Sequence, residues 1–161
     1  MVDIKVVSTD PGAANQVMIG QAGFIKTAED LYEALMGVSP EIKFGLAFSE
    51  ASGPCLIRSE GNDAELRSRA ERISSDIAAG HSFVIVFKNA FPINVNNAVQ
   101  NVPEVISIFC STANPVQVIL GETEQGRAIL GVVDGYSPKG VEGTEDRVKR
   151  KKLLRELGYK L

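Results

Sequence analysis

The sequence predicts an α/β fold in which a mixed β-sheet is flanked by helices in a single compact layered domain. Stretches with the period of a helix alternate along the chain with stretches typical of strands, which is the pattern of layered α/β domains. The uninterrupted apolar run at residues 83–87 is typical of a central strand covered on both faces. With 161 residues, 44% of them hydrophobic, the chain can bury one sizeable core. We therefore expect residues 1–161 to form one domain.

The first third of the chain contains three predicted strands and one helix. Residues 4–8 and 17–19 flank a turn-forming segment at residues 10–12, so we interpret them as a β-hairpin. Thr27 is the predicted N-cap of the first helix, with Asp30 at the capping-box position, and the helix should end before Pro40. Large apolar residues at every second position of 42–48 predict a half-buried strand.

The remaining elements follow the same alternation. After a short strand at 55–58, Asn62 is the predicted N-cap of a second helix that Gly80 should close. Pro92 begins a third helix, which Pro103 ends before a strand at 105–109. Strands at 116–120 and 128–133 are joined by a glycine-containing turn, as in a hairpin. A last helix, at about 144–157, is expected to bury Val148 and Leu153 or Leu154.

The composition restricts the partners. A net charge of −3 offers no general attraction to nucleic acid or anionic lipid, and no apolar run approaches the roughly 20 residues that cross a bilayer. We expect a cytoplasmic protein with a small-molecule partner. The local exception is a basic run in the last helix, which is either a solvated face or a surface for anions or assembly. It comprises Arg147, Lys149, Arg150, Lys151, Lys152 and Arg155.

Several common catalytic motifs are missing. The chain has no G-x-x-x-x-G-K-[ST] loop, no G-x-G-x-x-G after a strand and no G-x-S-x-G elbow. With His81 as the only histidine, a multi-histidine metal centre is excluded. A metal, if the protein uses one, would be a hard cation such as magnesium held by carboxylates and phosphates, and no structural metal is implied.

Polar clusters at the ends of predicted strands are the candidate binding residues, because α/β folds usually place ligands there. After the strand at 42–48, Glu50, Ser52 and the flexible Gly53 could bind an anion or a sugar hydroxyl together with Arg58. The same residues also suit an ordinary turn. Asn114, before Pro115, could cap a loop or read a purine edge.

His81 and the segment after residue 133 carry the candidate catalytic groups. A lone His81 beside a helix end can be structural, or it can act as nucleophile or general base because neutral imidazole is available near neutral pH. Asp134, followed by glycine, suits a turn or a general base. Lys139 could neutralise a phosphate, while Asp134 and Glu142 could hold magnesium or accept a proton. That combination indicates phosphoryl transfer.

These residues carry a resemblance to the adenosine-specific kinases, a family of archaea and some bacteria. The similarity extends nearly end to end. Its most distinctive part is the segment 131–142, with Asp134, Lys139, Gly140 and Glu142. The other matching segments are 24–32, 50–54 with Arg58, 61–63, 79–81 and 112–115. The resemblance implies a kinase that binds adenosine or AMP and takes a phosphoryl group from a nucleoside triphosphate. It also implies ATP and magnesium, a phosphohistidine route and a small homo-oligomer, a trimer in the family.

Carried over to this chain, the resemblance makes His81 the candidate phosphoryl carrier and Asp134 the group that orients or deprotonates an attacking hydroxyl. Arg58 and Lys139 would offset phosphate charge. Glu50, Ser52 and Asn114 would meet the ribose and the base, with Gly53, Gly140 and Glu142 completing the binding set. The flat surface for adenine would come from Phe24, Phe48, Phe91 or Tyr136.

Two other functions remain open from the sequence. Because a phosphate-binding loop is missing, the protein could be a non-catalytic sensor of adenosine or AMP. The basic last helix would also suit a structural or assembly module.

Overall fold

The computed structural model describes residues 1–161 and contains eight strands and four helices. In chain order these are β1 (Asp3–Ser8), β2 (Gln16–Ala22), α1 (Thr27–Met36), β3 (Lys43–Ser49), β4 (Ile57–Gly61), α2 (Ala64–Ile77), β5 (Ser82–Lys88), α3 (Pro92–Gln100), β6 (Val105–Thr112), β7 (Val116–Glu122), β8 (Arg127–Asp134) and α4 (Thr144–Glu156). The predicted α/β class and its layered arrangement are confirmed. None of the four helices combines the length and the apolar composition of a membrane span.

A five-stranded sheet in the order β4-β3-β5-β2-β6 forms the centre of the fold, with β5 as the predicted central strand. Its core lies on both faces. On one face, residues of α1 and α3 such as Leu31 and Val99 pack on Phe44 and Phe87. On the other face, α2 and the strand β7 cover the sheet, with Leu66 and Val118 in the core. The sheet is therefore the middle of three layers.

All strand pairs within the sheets are antiparallel, and the strands form two sheets rather than one mixed sheet. The alternation of strands and helices nevertheless reflects strand–helix–strand units, as in other α/β folds. The two strands joined by each of α1, α2 and α3 point the same way, but a third, antiparallel strand lies between them. The periodicity of the sequence predicts these strand–helix–strand units, but it does not reveal the third strand that lies between the two parallel strands of each unit.

The second sheet has three strands in the order β1-β7-β8. The predicted hairpin at 116–133 is confirmed by the antiparallel pair of β7 and β8. The predicted hairpin at the N-terminus is wrong, because β1 pairs with β7 whereas β2 pairs with β5 and β6. The segment after β1 crosses between sheets, and the Thr9 N–H still donates to the Val116 carbonyl at 3.0 Å.

Three predicted helix boundaries differ in detail. Thr27 lies inside α1, where its hydroxyl donates to the Phe24 carbonyl at 2.6 Å and caps nothing. Asp63 caps α2 by accepting from the Leu66 N–H, while the Asn62 side chain is held between the backbones of residues 42 and 44. The end of α2 is formed by Ala78, which adopts a left-handed conformation two residues before Gly80.

Two burial predictions are wrong. The strand β3 is covered on both faces because α2 packs directly against Gly45, where an added Cβ would lie 2.0 Å from the Arg67 nitrogen. The helix α4 buries none of its residues, and Val148 and Leu153 are 63% and 53% exposed. The last helix therefore does not pack on the body of its own chain.

Candidate functional site

The candidate site lies at one end of the five-stranded sheet, where the chain leaves β2 and β3 and enters β5. His81 connects the three strands there. Its N–H donates to the Ser49 carbonyl at 2.7 Å, and its carbonyl accepts from the Ala22 N–H at 2.9 Å. The backbone on both sides of His81 is thus fixed by the ends of the neighbouring strands. We call this end of the sheet, with the loops 50–56 and 78–81, the histidine end.

A cavity of about 740 Å³ opens beside this end. It lies between the loop after β3, the C-terminal end of α2 and the β7–β8 turn. Its lining includes Glu50, Cys55, Ala79, Gly80 and Arg127. A volume of this order can hold a nucleoside-sized ligand.

Glu50, which lines this cavity, forms an ion pair with Arg58. Glu50 Oε2 accepts from Arg58 Nε at 2.9 Å and from the Leu56 N–H at 3.0 Å. The Glu50 side chain is only 11% exposed, and its other oxygen, Oε1, has no hydrogen-bond donor within the chain. The pair therefore closes the loop that carries the exposed Ser52 and Gly53, and it leaves one carboxylate oxygen without a donor from the chain.

The imidazole of His81 is half-buried and stacks on Phe48, with ring centroids 5.8 Å apart and an interplanar angle of 22°. No group of the chain hydrogen-bonds to either imidazole nitrogen. The ring is thus held in orientation while its nitrogens remain available. His81 does not line the cavity itself, although the preceding Gly80 does.

Backbone strain concentrates around the histidine end. Six non-glycine residues have positive φ, and four of them, Phe24, Cys55, Ala78 and His81, border this region. Phe24, at φ 88, is the most unusual because bulky side chains disfavour that conformation. Such strain clusters at functional sites in other proteins, where the surrounding structure maintains it.

Asn114 and Asp134 form a second group. The Asn114 amide donates to Asp134 Oδ1 at 3.2 Å, and Gly135 turns the chain at φ 68 with the Asn114 side chain packed against it. This group lies at the other end of both sheets, because Thr112 pairs with Val17 and Asp134 pairs with Val116. We call it the aspartate end.

Lys139, Gly140 and Glu142 belong to a third group on the exposed C-terminal segment. Glu142 is bound by Arg150 through two hydrogen bonds, at 2.7 and 3.0 Å. These hydrogen bonds hold the pKa of the Glu142 carboxyl below its usual range, with a smaller contribution from Arg147. Glu142 is therefore a poor proton acceptor within its own chain, and it orders the start of α4. Lys139 has no ion-pair partner in the chain.

The residues present suit magnesium only as a companion of nucleotide phosphates. No three acidic, histidine or cysteine side chains converge as a metal site within the chain. The expected partners Asp134 and Glu142 are engaged with Asn114 and Arg150 respectively. Because magnesium commonly binds through one or two carboxylates plus substrate phosphates, the exposed Asp134 would serve either the magnesium of a bound nucleotide or the reacting hydroxyl.

Two features of the site have no signal in the sequence. Arg127 donates to the Asp76 and Ile77 carbonyls at the end of α2 and joins the β7–β8 turn to the cavity wall. The buried hydroxyls of Ser49 and Ser74 meet at 2.9 Å on the cavity floor. Each contact joins residues that are distant in sequence, so only the fold brings them together.

The expected aromatic surfaces differ in availability. Phe48 is 1% exposed and is covered by His81, so it cannot stack on a ligand base unless that ring moves. Phe24 is 63% exposed at the histidine end, and Tyr136 is 85% exposed just after the aspartate end. Phe91 is also exposed, at the start of α3.

The fold and these polar groups define a class of α/β protein with a cavity at strand ends and a histidine beside it. The model of the family described as adenosine specific kinase matches residues 6–160, and the chain belongs to that family. It is similar to the crystal structure of the PH1918 protein from Pyrococcus horikoshii OT3, with 46% sequence identity and a TM-score of 0.97. That alignment covers 100% of this chain and 99% of the other. No curated protein matches the chain.

Proposed function

We propose that the protein is a phosphotransferase that binds adenosine and phosphorylates it from a nucleoside triphosphate, with ATP and magnesium as the donor complex. Membership of the adenosine-specific kinase family supports the reaction class. The observation that carries the assignment to a site is the His81 imidazole, which is held by Phe48 with both nitrogens free beside a nucleoside-sized cavity.

In the proposed route His81 is a phosphoryl carrier. An imidazole nitrogen attacks the terminal phosphorus of the triphosphate, a P–N bond forms, and the bond to the bridging oxygen breaks so that the nucleoside diphosphate leaves with the electron pair. A hydroxyl of adenosine then attacks the same phosphorus. The P–N bond breaks, its electron pair returns to the imidazole, and Asp134 accepts the hydroxyl proton.

The other residues bind the nucleoside and neutralise the phosphate charge. Arg58 and Lys139 offset the phosphate charge, and magnesium, when bound with the nucleotide, neutralises the remainder. Glu50 accepts a ribose hydroxyl through its free oxygen, with Ser52 and Gly53 in the same loop. Asn114 reads the base edge, while Gly140 and Glu142 shape the segment that presents Lys139.

Intact-mass spectrometry after incubation with ATP and magnesium tests the carrier role. We expect an acid-labile phosphoryl adduct in the wild type and none in His81→Asn, because asparagine tolerates the left-handed backbone of this position without a nucleophile. ADP formation with adenosine should fall by about 10²–10⁴-fold in the variant. An adduct that survives the substitution would refute the carrier role. The wild type should turn over adenosine in preference to guanosine and cytidine.

A non-catalytic sensor of adenosine or AMP is the second candidate, because the chain has neither a phosphate-binding loop nor three converging metal ligands. It requires a thermal shift with nucleoside that ATP and magnesium leave unchanged. A folded wild type that binds adenosine but forms no ADP would support the sensor and exclude the kinase.

We also propose that the protein works as a small homo-oligomer, a trimer as the family resemblance implies. The exposed apolar residues of α4 support an assembled state, since several of them have no partner in their own chain. Light scattering of the full chain measures the mass directly.

A further inference from the structure

The two catalytic candidates lie at opposite ends of the molecule. The His81 carbonyl accepts a hydrogen bond from Ala22, the last residue of β2. Thr112, two residues before Asn114, pairs instead with Val17, near the first residue of that strand. The second sheet repeats the separation, because Arg127 begins β8 at the cavity and Asp134 ends it. The family motifs are thus divided between the histidine end and the aspartate end.

The separation is too large for one reaction centre. Ala22 lies five positions after Val17, and at 3.2–3.4 Å per residue the two are about 17 Å apart along the strand. A group that takes a proton from a reacting hydroxyl must be within about 3 Å of it. Asp134 is fixed in the β7–β8 ladder, so it cannot reach a phosphoryl group on His81 of the same chain.

The segment after the aspartate end leaves the body altogether. We call residues 136–161 the arm and residues 1–135 the body. No side-chain hydrogen bond or ion pair joins the arm to the body, and every residue from 136 to 153 is exposed. The arm nevertheless carries large apolar side chains, among them Val141 at 98% and Leu157 at 54% exposed. Apolar residues on such an unpacked segment indicate a binding partner that their own chain does not supply.

Charge distinguishes the arm from the body. The arm contains eight Lys and Arg against four Asp and Glu, a formal charge of +4, whereas the body contains nine against sixteen, a formal charge of −7. The body also presents an apolar surface on the outer face of the three-stranded sheet, with Val2, Ile4, Val6 and Leu130 each more than half exposed. A second body therefore offers both the charge and the apolar surface that the arm requires.

We propose that the site is completed between two copies of this chain, with the aspartate end and arm of one copy lying at the histidine end of its neighbour. Asp134 and Lys139 would then act on a substrate held by the neighbour's cavity and His81. The inference rests on the proposed function in one respect, since it takes the two ends to serve one reaction. It makes the assembly a requirement of the chemistry.

Mixing inactive variants tests this arrangement. Each of His81→Asn and Asp134→Asn alone is expected to lower phosphoryl transfer by about 10²-fold or more. In a randomly mixed assembly prepared by co-expression, about one quarter of wild-type activity should return, because some sites combine an intact histidine end with an intact aspartate end. The matched control mixes His81→Asn with Glu50→Gln, which both alter the histidine end, so no site gains two intact ends and the activity should not exceed half that of Glu50→Gln alone. A first mixture no more active than its two parent variants, with active wild type, would overturn the shared site.

Crosslinking supplies a readout that needs no activity, so a failed kinase assay does not leave the arrangement undecided. Cys55 is exposed at the histidine end, and Cys110 is buried, with burial and the nearby Asp134 charge raising its thiol pKa to about 11. In Lys139→Cys, a short bismaleimide should join residue 139 of one copy to Cys55 of another and give a covalent dimer. The product should disappear when Cys55→Ser is added. Crosslinking within a single chain, or none at all, would overturn the proposal.

A site on α1 is the control for chance encounter. Glu33 is exposed on that helix, away from both ends. Glu33→Cys should give no covalent dimer with Cys55 under the same conditions. Equal dimer yields from Lys139→Cys and Glu33→Cys would show that the crosslinks come from random collision, and they would contradict the shared site.

Discussion

The helices α2 and α4 are almost equal in length, at 14 and 13 residues, yet only α2 contributes to the core. The apolar residues of α2 recur at spacings of three and four, so Leu66, Ala70 and Ile77 share one buried stripe. In α4, Val148 and Leu153 are five residues apart and no such stripe forms. Helical propensity thus places a helix in the sequence, whereas a continuous apolar face decides whether it packs on its own chain.

Removing the arm should have the largest effect, and it tests the different roles of α2 and α4 most directly. Deletion of residues 136–161 is expected to reduce the assembled mass to that of a monomer and to leave the far-UV circular dichroism of the body intact, because α4 buries none of its residues. Light scattering and thermal unfolding measure the two effects. Deletion of residues 159–161 alone is the control. A truncated chain that keeps its assembled mass would mean that the arm does not hold the copies together.

The contact of α2 with β3 should be the most sensitive point of the body. Gly45→Ala places a Cβ against the Arg67 backbone, and the helix must move to accept it, so we expect the free energy of unfolding to fall by about 2–3 kcal/mol. Gly131→Ala is the matched control, since a Cβ added at this position of β8 would have no neighbouring atom within 4 Å. Chemical denaturation of both variants measures the difference, and equal losses would contradict the close approach of α2.

Arg127 should stabilise the far end of α2. Arg127→Met removes the donor to the Asp76 carbonyl at 3.1 Å and the Ile77 carbonyl at 3.5 Å, and we expect a loss of about 1–2 kcal/mol in the free energy of unfolding. Arg72→Met, on the same helix but without a hydrogen bond or ion pair, controls for the change of side chain. Destabilisation by both variants alike would show that the carbonyl contacts contribute nothing specific.

The sequence predicts elements better than it predicts their neighbours. The apolar run of β5 and the stripe of α2 specify buried positions locally, so both are predictable from their own residues. The pairing of β1 with β7 depends on residues more than a hundred positions apart, which periodicity cannot link. The same limit applies to the site. The Glu50–Arg58 pair is local, but the opposite positions of His81 and Asp134 follow from strand register alone.

The smallest effect is expected at the beginning of α2, where the cap lies one residue later than the sequence suggests. The Leu66 N–H donates to Asp63 Oδ1 at 3.1 Å, and this hydrogen bond holds the pKa of Asp63 below its usual range. The stabilisation is therefore present above the ordinary aspartate pKa of about 4 and is lost as the pH falls through the lower folded value. Asp63→Ala should cost about 1 kcal/mol at neutral pH.

Asp63→Asn separates the effect of the N-cap hydrogen bond from the effect of the carboxylate charge. Asparagine also accepts the N-cap hydrogen bond but does not titrate, so the free energy of unfolding should decline less between about pH 5 and pH 2 than in the wild type. Asp76→Asn, at an exposed position near the other end of α2, controls for the loss of one carboxylate from the helix region. If the two asparagine variants have the same profile, the acid sensitivity of the protein does not come from the cap of α2.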